Sequence, residues 1–290
     1  MGRCARADTA RGERTVRQIR SALFMPATNA RAIDKARGLD CDAVILDLED
    51  AVAPEAKGAA RAQALAAAQD GGFGSRLLVL RVNALDTEWG QDDCAAAVGA
   101  GFDAVLLPKV SHPDDLCAAR MILGEMPLWA MIETCAAMLA LPAIAATPGL
   151  ACIVAGTNDL AKDMRCTPGP DRLPMLPHLI AIVTVARAHR LIALDGVSNV
   201  LADTPALAAE CGQGAAFGFD GKTLIHPAQI APANRAFAPS AEQHEWAKAV
   251  VAAFALPDHA AKGAIRVGGE MVERLHLGEA ERILARMVHL

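Results

Sequence analysis

Two acidic residues, Glu133 and Asp159, each close an apolar run of the kind that forms a buried strand. The runs are Pro127-Leu-Trp-Ala-Met-Ile-Glu133 and Ile153-Val-Ala-Gly-Thr-Asn-Asp159, and a helical pattern follows each. Carboxylates at the ends of two strands of one sheet put unpaired negative charge on a single rim. That is costly without a cation, and a divalent metal is the usual remedy. Polar clusters fall at matching places along the chain: Asp47-Leu-Glu49-Asp50, Arg81-Val-Asn83, Pro108-Lys109, Asp195-Gly196 and Asp220-Gly-Lys222. Charge suggests the roles. Glu133 and Asp159 offer anionic oxygens suited to Mg²⁺. Arg81, permanently cationic and forked, can hold a carboxylate or carbonyl oxygen against the metal. The run Gly156-Thr157-Asn158 lets backbone N–H groups come close to a bound carboxylate. Together these groups would stabilise an enolate, the intermediate of aldol-type carbon–carbon cleavage.

Taken singly, none of these residues is diagnostic. An acid at a strand end is more often a helix cap or an ion-pair partner, and Arg81 alone would pair with Asp47 or Glu49. Asp195 and Asp220 read as turn or supporting residues, and His226 before Pro227 as a loop anchor. Metal chemistry rests on the set. Competing motifs fail: Asp220-Gly-Lys-Thr223 ends like a phosphate-binding loop, but the upstream glycine it needs is Ala216. No dinucleotide fingerprint follows the first strand, and there is no Gly-x-Ser-x-Gly elbow.

The elements that must carry these residues recur eight times. Apolar segments at Ser21–Ala27, Ala43–Asp50, Arg76–Asn83, Ala104–Val110, Leu128–Glu133, Cys152–Asp159, Leu191–Val197 and Ala215–Thr223 are each followed by a helix-like stretch. Most are continuously apolar, as parallel strands covered by helices are. Eight β-then-α units predict an α/β fold, a (β/α)8 TIM barrel, with an open doubly wound sheet as the alternative. In a barrel the active site lies at the carboxyl ends of the strands, where the polar clusters fall. The expected division is an N-terminal arm at 1–19, a catalytic barrel at 20–237 and a C-terminal helical extension at 238–290. The extension has helices near Ala241–Phe254 and Glu270–Met287, joined by a loop over Pro257–Gly269, and would pack on the barrel or on a neighbouring subunit. The segment Arg165–Arg172 suits a lid or an ordinary connection.

Composition narrows the classes. Of 290 residues 53% are hydrophobic, enough for a large core, while aromatics are 3% and Tyr is absent, so Ala, Val, Leu and Ile must do the packing. A net charge of −5 with mixed signs argues against a nucleic-acid surface. The eight cysteines form no Cys-x-x-Cys pair, which suits a reducing, cytoplasmic compartment. No apolar stretch is long enough to span a bilayer, and the charged first 19 residues lack a secretory core. An Arg-rich transit peptide is the alternative for that arm.

The order and spacing of the motifs resemble the citrate lyase β-subunit-like branch of the HpcH/HpaI aldolase superfamily, from Arg20 to about His289. The carriers are Arg20-Ser-Ala-Leu-Phe-Met-Pro26, Asp42-Ala-Val-Ile-Leu-Asp-Leu-Glu-Asp-Ala-Val52 with Pro54-Glu-Ala-Lys57, Arg81-Val-Asn83 and Leu107-Pro-Lys109. Met131-Ile-Glu-Thr134, Gly156-Thr-Asn-Asp159, Gly218-Phe-Asp-Gly-Lys222 and Ile225-His-Pro-Ala-Gln229 complete the set. The resemblance implies a barrel enzyme holding Mg²⁺ through Glu133 and Asp159, with Arg81 on the substrate's acyl oxygens. It implies cleavage or formation of 3-hydroxyacyl-CoA thioesters of the malyl, citramalyl or citryl type, releasing an oxo acid and an acyl thioester. It further implies a homo-oligomer, trimer or hexamer, and Arg20 and Lys57 near the thioester or CoA phosphates. Asp47, Glu49 and Asp50 are read as supporting residues. Two departures stand out. Malyl- and citramalyl-CoA-cleaving relatives carry a catalytic Asp in a Met-(Ile/Val)-Asp motif, where Met271-Val-Glu273 here has Glu. Glu273 is therefore the expected proton-transfer group, displaced by about one bond length. The acidic residue before the metal Asp of citrate lyase subunits is Asn158 here. An aldolase acting on free oxo acids and a non-catalytic metabolite-binding accessory subunit are the alternative functions.

Overall fold

In the computed structural model, which describes residues 18–202, 204–259 and 261–287, eight parallel strands close into a barrel in chain order. They are β1 (Ser21–Pro26), β2 (Ala43–Asp47), β3 (Leu77–Arg81), β4 (Ala104–Leu107), β5 (Leu128–Ile132), β6 (Leu150–Ala155), β7 (Ile192–Asp195) and β8 (Gly221–Leu224). Around them lie α1 (Ala30–Ala36), α2 (Lys57–Asp70), α3 (Gly90–Ala97), α4 (Pro113–Leu123), α5 (Cys135–Ala145), α6 (Thr157–Asp163), α7 (Leu176–Ala188), α8 (Pro205–Phe217) and α9 (Ile230–Phe237). The TIM barrel expected from the repeat is therefore the observed fold, and the open sheet is excluded because β8 pairs back onto β1, Ala22 opposite Thr223.

Side-chain alternation divides each strand between two cores. Ala22, Phe24, Ala43, Ile45, Val79, Leu106, Trp129, Met131 and Val154 fill the barrel interior. Leu23, Val44, Leu46, Leu80, Val105, Ala130 and Ile153 pack outward among the helices. The same period carries the site. Asp47 is the next inward position after Ala43 and Ile45, Arg81 after Val79, and Glu133 after Trp129 and Met131. Helix starts follow local chemistry: Asn29 accepts from the Ala32 N–H, and Thr134 and Thr204 cap α5 and α8 in the same way.

The described residues form two compact units, one over Ile19–Phe237 and a second that begins at Ala238. The predicted arm at Met1–Arg17 lies outside the described residues. Ile19, placed in that arm by the sequence reading, is buried among the interior side chains of the barrel.

The second unit corrects an expectation. Glu270–Met287 was expected as one helix, and Pro257–Gly269 as a loop. Instead β9 (Ala264–Val267) and β10 (Glu270–Glu273) form an antiparallel hairpin, before the helix α11 (Arg274–Met287). The reason is Gly268-Gly269, both at positive φ (59° and 92°), the two-residue turn that hairpin twist favours. Ile265 and Val272, opposite one another, join Ala247, Val250, Phe254, Ala280 and Ile283 in a small core with α10 (Ala241–Phe254). The eighth strand was also drawn too early: Ala215–Phe217 finish α8, which Gly218 ends at φ 92°.

A buried ionic cluster ties β7 and β8 together. Lys222, wholly inaccessible, donates to Asp195 Oδ2 at 3.0 Å and to the Gly196 carbonyl at 2.5 Å, and lies 2.8 Å from Glu210. Arg172 donates to both oxygens of Asp195 at 2.8 and 2.9 Å. Removing one member strands buried charge, which costs far more than the pair's net worth. Asp195→Ala is accordingly expected to lower stability by about 3–5 kcal/mol in urea denaturation; a loss under about 1 kcal/mol would show the cluster to be idle.

Candidate active site

A cavity of about 500 Å³ opens at the carboxyl ends of the strands, lined among others by Phe24, Asp47, Asp50, Arg81, Met131, Glu133, Gly156, Thr157, Asn158, Asp159 and Thr223. Glu133, Asp159 and Arg81, singled out in sequence, thus share one chamber. Asp159 sits one step beyond where it was expected. β6 ends at Ala155, Gly156 is the helix N-cap, and Asp159 occupies the first turn of α6 rather than a strand end. An acidic side chain there is favoured by the helix dipole.

Arg81 is the fixed positive group. It lies directly opposite Asp47 in the β2–β3 register and donates to it through Nε at 2.7 Å and Nη2 at 2.6 Å. Glu49 Oε2 is 2.8 Å from Nη1, a charge contact without hydrogen-bond alignment. The guanidinium stacks over the Phe24 ring, 4.7 Å from its centroid. Burial opposes its charge, but the Asp47 hydrogen bonds, with Glu49 and Asp50 behind them, more than offset this and hold its pKa above the ordinary value.

Glu133 is the buried negative group, 2% exposed. Desolvation raises its pKa against the attraction of Lys109, whose backbone N–H donates to Oε1 at 2.6 Å. Lys109 turns its ammonium onto Asp159 Oδ2 and lies 3.6 Å from Glu133 Oε1. The two carboxylates therefore converge on one cation, which tests the metal reading: the ammonium stands where a small hard ion would find oxygen donors from both. Among the described residues no cluster of three or more His, Cys, Asp or Glu could ligate a metal. Two protein carboxylates with the rest of the shell left to water and substrate is the Mg²⁺ pattern, and the residues fit such an ion.

Gly156 makes this geometry possible. A Cβ built on it would lie 2.3 Å from Glu133 Cβ and 2.7 Å from Oε2, so only hydrogen fits between α6 and the Glu133 side chain.

Other expectations need correction. Arg20 precedes β1, at the amino end of the barrel, and is bound by Asp42 through Nε at 2.9 Å and Nη2 at 2.8 Å. That place is away from the carboxyl rim that lines the cavity. Lys57 is buried and donates to the Leu48 and Glu49 carbonyls, both at 2.7 Å, under the Trp89 ring. Its charge is spent on holding the β2 loop rather than offered to phosphates. Asp220 precedes β8 and so does not belong to the carboxyl rim. Glu273 lies in β10 of the second unit, where its N–H donates to His276. Sequence reasoning gave no role to Lys109 or Phe24, although a lysine at a strand end beside two carboxylates was visible in Leu107-Pro-Lys109.

Fold and site together define a (β/α)8 barrel protein with a charged chamber at the carboxyl mouth. The chain belongs to the HpcH/HpaI aldolase/citrate lyase family, whose sequence pattern matches residues 20–227. It is 46% identical over 268 residues to a (3S)-malyl-CoA thioesterase of Cereibacter sphaeroides, covering 92% of this chain and 94% of that protein. It is 31% identical over 286 residues to the citrate lyase subunit beta of Escherichia coli, covering 94% and 95%. The protein CitE from Mycobacterium tuberculosis, solved in complex with magnesium, acetoacetate and coenzyme A, superposes with a TM-score of 0.77 at 30% identity, covering 94% of this chain and 98% of that one.

Two outcomes follow from the geometry. Gly156→Ala must push Glu133 aside, and displacements of about 1 Å near the chemistry cost about 10²-fold; turnover is expected to fall by that order, with a stability loss of about 1–3 kcal/mol from the overpacking. An unchanged rate would show that the close approach has no bearing on the reaction. The Glu49 carboxyl, desolvated and repelled by Asp50 and Glu133, is pushed up from 4.5 to about 7 despite Arg81. The folded protein holds this proton more tightly than the unfolded chain does. Its contribution to stability is therefore present below pH 4.5 and lost as pH rises to about 7. Glu49→Gln should flatten the fall in stability across that window, and identical slopes in urea titrations of both proteins would refute the shift.

Proposed function

We propose that the protein is a Mg²⁺-dependent carbon–carbon lyase acting on a 3-hydroxyacyl-CoA thioester of the malyl, citramalyl or citryl type. One observation carries this reading: Arg81, Glu133 and Asp159 line a single cavity at the carboxyl mouth, in a chain whose relatives act on malyl and citrate-type substrates by name. In this reading Glu133 and Asp159 hold Mg²⁺, as is supported by the magnesium complex of the related CitE protein. When bound, the ion supplies Lewis acidity at the oxo-acid end of the substrate.

The chain's own residues do the rest. Arg81, its orientation fixed by Asp47 and Phe24, holds the oxo-acid oxygens in place. The backbone at Gly156-Thr157-Asn158 lines the same wall and suits a carboxylate. Loss of the hydroxyl proton to a base lets the bond between the carbinol carbon and the thioester α-carbon break. Its electron pair becomes the thioester enolate, which takes up a proton to leave acyl-CoA and an oxo acid. Glu273 of an adjacent subunit is the proposed proton donor to the enolate. A homo-oligomer, trimer or hexamer, belongs to this reading; the exposed apolar side chains Met121 on α4 and Leu139 on α5 suit burial against a second copy. Among the described residues no helix is long and apolar enough to cross a membrane; a cytoplasmic location is part of the proposal.

A second reading has its own support. The relatives at 45–46% identity are malyl-CoA thioesterases by name, so the same chamber could serve hydrolysis of the thioester. Purified protein with Mg²⁺ and malyl-, citramalyl- or hydroxymethylglutaryl-CoA separates them. Oxo-acid release, abolished by chelation and lowered by at least about 10²-fold in Glu133→Gln and Asp159→Asn, is expected for the lyase. Free thiol without oxo acid would replace it with the hydrolase, and unchanged turnover in both variants would remove the metal assignment.

A further inference from the structure

Lys109 has no assigned role, yet its conformation is the least ordinary at the site. It follows β4 with φ at +53°, a left-handed backbone that non-glycine residues seldom adopt. Strain of this kind persists where surrounding contacts over-determine it, and it gathers at functional positions. Here that conformation lets one residue make two contacts. The Lys109 N–H meets Glu133 Oε1 at 2.6 Å, while its ammonium reaches Asp159 Oδ2 and lies 3.6 Å from Glu133 Oε1. The side chain is 37% exposed, so it has a route outward. Glu133, at 2% exposure, has none.

We propose that Lys109 is the resident counter-cation of the metal site: it neutralises Glu133 and Asp159 in the metal-free protein and is displaced when the divalent ion binds. This rests on the metal reading above. The two carboxylates come from the residue after β5 and from α6, and without a cation their repulsion would spread them. The ammonium keeps them converged. It cannot stay once Mg²⁺ arrives, because the ion needs the same oxygens and like charges at that separation repel strongly. Metal loading is then an exchange of cations, and the apparent affinity is reduced by the fraction of protein in which Lys109 occupies the site. The backbone N–H stays on Glu133 throughout, so the carboxylate keeps its orientation while its counter-charge changes.

Full-length protein decides the matter. Mg²⁺ titrated by calorimetry into metal-free Lys109→Met is expected to bind at least about fivefold more tightly than to wild type. The metal-free variant should also melt below metal-free wild type and gain more from Mg²⁺. Lys162→Met, which removes an exposed charge from the helix that carries Asp159, controls for long-range field and should leave the affinity unchanged. Equal or weaker Mg²⁺ binding in Lys109→Met overturns the proposal. A second measurement needs no variant. Acetylation of wild-type lysines, read by mass spectrometry with and without saturating Mg²⁺, should rise severalfold at Lys109 and stay level at Lys162; no rise at Lys109 overturns displacement even if Lys109→Met does not fold. Glu133→Gln and Asp159→Asn separate the two ideas. If both bind Mg²⁺ as wild type does, the metal reading itself falls. If both lose it while Lys109→Met matches wild type, only the exchange falls.

Discussion

The paired hydrogen bonds between Asp47 and Arg81 are the contact on which the site depends. The two residues stand opposite one another on adjacent strands, both at inward positions, so barrel alternation alone delivers them to one another. Without Asp47 a buried guanidinium would face Glu49 alone; with it, Arg81 is locked flat over Phe24 and cannot swing. That immobility has chemical value, because a preorganised cation needs no rearrangement as charge develops on a substrate. The surroundings stay negative: Asp47, Glu49, Asp50, Glu133 and Asp159 gather around Arg81 and Lys109. An excess of carboxylates suits a metal ion, and burial, with neighbouring carboxylates adding to it, makes Glu49 and Glu133 hold their protons more tightly than free glutamates do.

The opposite wall is fixed by a chain of close approaches. Gly156 abuts Glu133, and a Cβ on Gly196 would meet Thr157 Oγ1 at 2.4 Å, so β6, α6 and the end of β7 are packed backbone to side chain. Lys222 holds the Gly196 carbonyl from behind, and Asp195 and Glu210 neutralise both Lys222 and Arg172. Arg172 also closes the segment once considered as a lid. Its buried guanidinium, bound to Asp195 and Gln213, anchors that segment where it enters the next helix. The segment is a connection clamped at one end.

The barrel could be read from the chain because its strands are continuously apolar and its helices are Ala-rich, two patterns that repeat eight times. Arg81 and Glu133 could be found as well, since period-two alternation places the first polar inward residue at the mouth; Asp159 was singled out too, though it lies one helical turn beyond its strand. What the sequence hid was the destination of charge. Arg20 and Lys57 look alike in sequence to ligand-binding cations, yet Asp42 claims one across 22 residues and two backbone carbonyls claim the other. Hydrogen bonds of that range leave no local trace. The hairpin at Ala264–Glu273 was missed for the opposite reason: Gly268-Gly269 was present, but the charged face of Glu270–Met287 read as helix throughout.

Cleavage and hydrolysis of a 3-hydroxyacyl thioester ask different things of this chamber. Both need the acyl chain held by Arg81 and by the carboxylate-bound cation. Cleavage then needs a base at the hydroxyl and a donor at the α-carbon. Hydrolysis needs a water held against the thioester carbonyl. The proposed donor, Glu273, is where this chain departs from the Asp motif of the lyases it resembles. An extra methylene moves the carboxyl by about one bond length, away from the carbon an aspartate would protonate. In the proposed lyase that carboxyl serves the α-carbon; in the hydrolase reading it would instead polarise a water beside the thioester. Under the proposed function the balance between the two reactions turns on the reach of Glu273, while the binding of the substrate is common to both.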